Sequence, residues 1–321
     1  MTTLHNAANA PLLLFSGNSN RPLAEQIAAY LGMQLGDCEV GRFPDGEVRI
    51  KFKADVRGAD AFVVQSTCTP VNDHLMELLI MCDALRRASA ARITAVIPYF
   101  GYSRQDRKDE GRVPITAKLV ADLLQAAGVN RVVTIDLHAA QIQGFFNIPV
   151  DHLYAARVFT KYVRQLEIPS GELVVASPDA GGMKMAWGYT KRLDAHLAVV
   201  EKRRLSGEDV EVGFVIGDVK DKHVVIVDDM ISTGGSVTKA GQLLLDKGAK
   251  AVYVMATHPV FCGRAVEKLR DSVLSQVIVT DTIPVTANIE HLKVLSVADL
   301  LGEAVHRIHT NKSVSTLFKR I

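Results

Sequence analysis

The residues best equipped for chemistry lie in one stretch, His223 to Ser236, reading HVVIVDDMISTGGS. Val224 to Val227 form a short, unbroken apolar run, the pattern of a parallel strand buried on both faces. The run ends in two adjacent carboxylates, Asp228 and Asp229. Ser232, Thr233, Gly234, Gly235 and Ser236 then make a small, hydroxyl-rich turn, and Val237 to Asp246 reads as a helix closed by Gly248. The amides of such a turn and the helix N-terminus accept a phosphate, while the acids face polyol hydroxyls or a metal. A Gly-Gly pair alone would signify only a polar turn after a buried strand. Two acids at the strand end and three hydroxyls in the turn point instead to a sugar phosphate.

Other candidates sit at comparable places. Val40 to Phe52 contains GRFPDGEVRIKF, whose alternation at Val48, Ile50 and Phe52 predicts a strand exposed on one side. The turn before it puts the Phe43 ring beside Asp45 and Glu47, a combination able to hold a purine. After a strand at Arg92 to Ile97 comes PYFGYSRQDRKDEGR, which mixes Arg104, Arg107, Lys108 and Arg112 with Asp106, Asp109 and Glu110. Many charge runs are only solvated, but the carboxyl end of a parallel strand is where α/β proteins bind ligands. The strand Arg131 to Leu137 runs into His138, well placed to ligand a metal or reach a phosphate. His74, in the first turn of a helix, reads as structural.

These segments need a frame that brings strand ends together. Strands alternate with helices along the whole chain: strands at Leu12 to Phe15, Ala61 to Gln65, Arg92 to Ile97 and Arg131 to Leu137, and helices at Pro22 to Leu31, Asn72 to Ala88, Pro114 to Ala127 and Leu153 to Leu166. The pattern then restarts. Leu173 to Ala176 feeds a second Gly-bearing turn, SPDAGG, with Asp179 in it. Leu197 to Val200 leads into Glu201-Lys202-Arg203-Arg204, and 205–209 reads as a polar loop. Further strands fall at Val210 to Ile216, Ala251 to Ala256 and Gln276 to Thr280, with a helix at Ala298 to Ile308. The layout predicts two similar α/β domains, each an open, mainly parallel sheet: residues 1–155, and 156–307 with the sugar-phosphate turn. The tail 308–321 is expected to pack on the first.

Composition bounds the function. A chain of 321 residues holds two full cores, and 48% hydrophobic with 22% charged residues is ordinary for globular proteins. A net charge of +2 gives no support for nucleic acid as the main partner. No apolar run approaches a membrane span, and MTTLHNAANA lacks a basic segment followed by an apolar one. Cys38, Cys68, Cys82 and Cys262 form no CxxC or metal-ligand spacing. Free thiols and no membrane make the cytoplasm the expected compartment.

Seven stretches, RFPDGEVRI, PYFGYSRQDRK with PITAKL, IDLHAAQIQGFF, SPDAGG, EKRR, VDDMISTGGS and ATHPVF, together resemble the ribose-phosphate pyrophosphokinase (phosphoribosyl diphosphate synthetase) family, in the family's order. The VDDMISTGGS loop is shared with the wider phosphoribosyltransferase superfamily, whereas DLHAAQIQGFF and SRQDRK resemble this branch. The resemblance implies domains of phosphoribosyltransferase type and transfer of the diphosphoryl group of ATP to ribose 5-phosphate, for nucleotide biosynthesis. It implies Mg2+ served by His138 and Asp179, and catalytic Lys202 and Arg204 on a mobile loop. Alternate positions on an extended segment would put both cations on one face. Phe43, Asp45, Gly46, Glu47, Arg104 and Gln105 would bind ATP. Arg204, Asp228, Asp229 and the turn Ser232, Thr233, Gly234, Gly235, Ser236 would bind ribose 5-phosphate. It also implies a homo-oligomer, usually a hexamer.

Many members of that family have aspartate where this chain has Ser232, which weakens the expected ribose contact. Two rivals remain: a phosphoribosyltransferase, which would have no use for Arg104, Gln105 and His138, and a non-catalytic regulatory relative, against which the intact Lys202, Arg204, His138 and Asp179 argue.

Overall fold

A computed structural model describes residues 10–204 and 211–317 of the chain. It divides into two units.

The first unit contains β1 (Leu12–Ser16), α1 (Arg21–Tyr30), β2 (Cys38–Arg42), β3 (Val48–Phe52), β4 (Asp60–Val64), α2 (Val71–Arg87), β5 (Arg92–Ile97), α3 (Thr116–Ala126), β6 (Arg131–Ile135) and β7 (Val150–Leu153). Its main sheet runs β1-β4-β5-β6-β7, every pair parallel. β4 (DAFVV) is buried throughout, as a strand covered on both faces must be. α1 starts where the sequence places it. Pro22 occupies its first turn and the Asn20 side chain accepts a hydrogen bond from the Leu23 amide at 3.3 Å. β2 and β3 form a separate antiparallel hairpin. Leu153, where the sequence suggested the start of a helix, instead closes β7, whose Asp151 and His152 side chains are paired inside, and the helix begins only at Ala156.

The second unit contains α4 (Ala156–Val163), β8 (Leu173–Ser177), α5 (Met183–Leu193), β9 (His196–Arg204), β10 (Glu211–Ile216), β11 (His223–Ile231), α6 (Gly235–Asp246), β12 (Ala251–Pro259), α7 (Ala265–Arg270), β13 (Gln276–Thr280) and β14 (Leu292–Leu295). Its sheet runs β10-β9-β8-β11-β12-β13-β14, parallel except for the β9–β10 pair. α6 turns Val237, Ala240, Gly241 and Leu244, one helical stripe, into the core.

α8 (Ala298–His309) falls partly in the range expected for the second domain, yet it clusters with the first unit and packs on α1. Tyr30 Oη donates to Glu303 Oε2 at 2.9 Å, and His309 Nδ1 lies 2.9 Å from the fully buried Asp60, which also pairs with Arg92. Residues 310–317 follow α8 in that unit; the rest of the expected tail, 318–321, lies outside the described residues.

Candidate active site

In the second sheet β8 is flanked by β9 on one side and β11 on the other, so the strand order reverses between β8 and β11. Such a switch point is where open α/β sheets bind ligands, outside the carboxyl ends of the strands. β8 pairs with β11 only from His223 to Ile226. β11 nevertheless continues through Asp228 and Asp229 to Ile231, paired with β12 on its other side. The strand therefore runs two residues past the acids that the sequence placed at its end, and the acids lie on the flank that β8 has left.

Electrostatics mark this place. Burial drives the Asp228 carboxyl well above its ordinary range, and the Asp229 charge, a hydrogen bond between the two carboxyls and the Asp179 charge push the same way. The Asp229 amide, donating to Asp228 Oδ1 at 2.9 Å, opposes this only in part. Among the described residues, Asp179, Asp228 and Asp229 thus lie close enough for their charges to act on one another. Their oxygens are the donor type that a hard divalent cation takes. Among the described residues, no group of three or more His, Cys, Asp or Glu is arranged to hold a metal by protein ligands alone. Magnesium, which keeps several waters and also uses substrate phosphates, suits that chemistry.

The turn after β11 runs directly into α6, which begins two residues before the Val237 start read from the sequence. Gly234 adopts φ +74°, a left-handed conformation open to glycine, and Gly235 starts α6. Ser232 and Gly235 are half-buried, whereas Thr233 and Ser236 are exposed. A second segment, between β12 and α7, holds this turn. Phe261 N donates to the Ile231 carbonyl and Cys262 N to the Ser232 carbonyl, each at 3.0 Å. Phe261 takes φ +44° to make both bonds, and the Cys262 thiol lies 3.2 Å from Ser232 Oγ. No local sequence pattern marks Cys262's place.

Asp179 is exposed on the turn after β8, where its Oδ1 accepts from the Gly182 amide at 3.0 Å, so part of its role is to shape the start of α5. Lys202 and Arg204 stand on β9, opposite Gly213 and Glu211 of β10. Their backbone is strand where a mobile loop was expected, and 205–210 lie outside the described residues.

In the first unit, the β2–β3 turn presents Phe43, 47% exposed, on a tight frame. Phe43 N donates to the Glu47 carbonyl at 2.8 Å, Asp45 Oδ1 accepts from the Glu47 amide at 3.1 Å, and Gly46 sits at φ +94°. Arg104 and Gln105 are exposed on the turn after β5. Gln105 also has structural work: its carbonyl accepts from the Ala117 amide at 3.1 Å and its side chain bonds Thr116. His138 is exposed just past β6. Its approach is set by Asp136 at φ +39° and by the Leu137 amide, which donates to His152 Nε2 at 2.9 Å. His152 on β7, almost fully buried, is a positioning residue with no signal in its neighbouring sequence.

The two mainly parallel sheets and these strand ends define an α/β protein built to bind ligands at strand termini. Residues 12–128 match the N-terminal domain of ribose phosphate pyrophosphokinase, and residues 208–319 match the phosphoribosyl synthetase-associated domain. A ribose-phosphate pyrophosphokinase of Caldanaerobacter subterraneus subsp. tengcongensis is 53% identical over 96% of this chain and 98% of its own. One from Thermotoga maritima is 53% identical over 95% of this chain and 98% of its own. The crystal structure of phosphoribosylpyrophosphate synthetase from Mycobacterium smegmatis aligns with TM-score 0.89 and 43% identity, covering 94% of this chain and 99% of that one. With identity sustained over nearly the full length of both partners, the chain belongs to the ribose-phosphate pyrophosphokinase family.

Proposed function

We propose that the chain makes 5-phospho-α-D-ribose 1-diphosphate and AMP from ATP and ribose 5-phosphate. The observation that carries this reading is the continuity of the Asp228–Asp229 pair with the anion-binding turn that opens α6. One strand end thereby offers partners for sugar hydroxyls and for a 5-phosphate at once.

In this reading Phe43 stacks on adenine, and Asp45 and Glu47, with Gly46 allowing their tight turn, meet its edge. Arg104 and Gln105 contact the nucleotide. The ribose hydroxyls donate to Asp228 and Asp229, and Ser232 to Ser236 bind the 5-phosphate through hydroxyls and amides. The anomeric oxygen forms a bond to the β-phosphorus of ATP, the bond from that phosphorus to the α–β bridging oxygen breaks, and AMP leaves. Lys202 and Arg204 neutralise charge that develops on the transferring group, where fixed cations have the largest effect on rate. His138 and Asp179 serve Mg2+, which when bound neutralises the polyphosphate. Burial and like charge at Asp228 support a cation there as well.

Family membership supports a homo-oligomer, with a hexamer the form proposed. Among the described residues no helix is long and apolar enough to cross a membrane, and the proposed location is the cytoplasm. The test is a paired assay. ATP with ribose 5-phosphate and magnesium should yield sugar-dependent AMP, while phosphoribosyl diphosphate with a purine base should yield no nucleotide. The reverse result would assign a phosphoribosyltransferase.

A further inference from the structure

α7 and its flanks carry five charged side chains, and all but one are accounted for. Glu267 pairs with Arg264 Nε at 2.6 Å, and Asp271 pairs with Arg270 Nε at 3.2 Å. Lys268 has no carboxylate within 4.0 Å of its ammonium among the described residues. Its Nζ lies instead 3.7 Å from the point where a Cβ on Gly235 would stand. Gly235 is the first residue of α6, so this exposed cation sits against the positive end of a twelve-residue helix.

A cation there is opposed by the helix dipole, and among the described residues no carboxylate within 4.0 Å offsets this. The same placement becomes favourable once a doubly charged anion arrives on the turn. The connection is also stiff. The segment that leads into α7 is bonded to the turn through Phe261 N and Cys262 N, and the Lys268 amide is fixed to the Arg264 carbonyl at 3.0 Å. Leu269, next in sequence, is fully buried. Position 235 has no side chain, and the point where its Cβ would stand lies 3.9 Å from Thr233 Oγ1, a hydroxyl of the turn itself.

From this we infer that Lys268 is a further substrate-binding residue, which pairs with the 5-phosphate of the sugar from outside the Ser232–Ser236 turn. The inference rests on the proposed placement of ribose 5-phosphate on that turn. It assigns the site a second source of positive charge, contributed by the segment after β12. The contact exists before and after diphosphoryl transfer alike, so it strengthens binding of the sugar without changing the chemical step.

The test compares the full-length wild type with Lys268→Ala, Lys268→Arg and Arg270→Ala, the last removing an equal charge from the same helix. Lys268→Ala should raise the KM for ribose 5-phosphate about fivefold to twentyfold, leaving kcat and the KM for ATP within about twofold. Lys268→Arg should restore most of the affinity, Arg270→Ala should match the wild type, and the Lys268→Ala effect should shrink as salt rises. An unchanged sugar KM in Lys268→Ala, or an equal rise in Arg270→Ala, would overturn the assignment. Wild-type protein without sugar-dependent turnover would refute the proposed activity instead. Calorimetric titration of ribose 5-phosphate into wild type and Lys268→Ala then decides this point separately: weaker binding to the variant supports it, and equal binding overturns it.

Discussion

Ser232 Oγ and Cys262 Sγ are 3.2 Å apart, which ties the turn after β11 to the loop after β12 through a side-chain contact as well as through the Cys262 amide. An aspartate at 232 would accept the thiol proton and still offer a charged acceptor to a ribose hydroxyl or a nearby magnesium, each such contact being stronger than serine's by roughly 1 kcal/mol. Against this stands the added anion beside the incoming phosphate. With magnesium saturating, the attractive effect should win. Ser232→Asp is expected to lower the KM for ribose 5-phosphate about threefold to tenfold and leave that for ATP unchanged. A raised sugar KM in steady-state assays would show a turn tuned around a neutral hydroxyl.

The same contact provides a reporter. Cys262 is exposed, whereas burial pushes the thiols of Cys82 and Cys38 up to about 12 and that of Cys68 up to about 11. A thiolate-directed reagent should therefore modify Cys262 first. Ribose 5-phosphate should slow that modification about fivefold or more by covering the turn, and ATP alone should not. Peptide mapping of the labelled protein checks both statements, and labelling indifferent to the sugar counts against its placement.

Asp228 has a definite pH signature. Its native pKa is raised from the ordinary 3.8 to about 8, so between those values the folded protein binds the proton that the unfolded chain releases. Wild-type stability contributed by this group is thus full at low pH and declines as pH rises through the window. Asp228→Asn removes the penalty. Thermal melts should show no difference near pH 4 and a variant melting roughly 3–6 °C higher near pH 8. A variant that melts lower at pH 8 would mean that the carboxylate is already compensated in the free protein.

Much of this was legible along the chain because it is local. The apolar run before Asp228, the small turn residues and the stripe of α6 are each fixed by neighbours within a few positions. β2, β7, β14 and α7 escaped notice because each is four to six residues long and is broken by charged residues, so it shows neither a period nor a continuous apolar run. Others depend on partners distant in sequence. α8 returns to the first unit through Tyr30 and Asp60, more than 200 residues away, and no local pattern encodes that choice. Likewise His152 orients the approach to His138 from a neighbouring strand, and Cys262 and Lys268 reach the turn after β11 only through the β11–β12 pairing.

Lys202 tests the chemical step. A cation that acts mainly on charge developed during transfer should matter little to bound ATP and greatly to turnover. Lys202→Ala is expected to retain nucleotide affinity within about threefold and to lose about 3 kcal/mol of transition-state stabilisation, roughly a hundredfold or more in kcat. Weakened ATP binding with kcat preserved would assign this residue to ground-state binding.

The central claim is that the whole diphosphoryl group moves. Phosphorus NMR of wild-type protein with ATP, magnesium and ribose 5-phosphate measures this directly. The predicted spectrum shows AMP and 5-phospho-α-D-ribose 1-diphosphate growing in equal amounts, with no AMP when the sugar is omitted. ADP appearing with a ribose bisphosphate, or ATP consumption indifferent to the sugar, would contradict it.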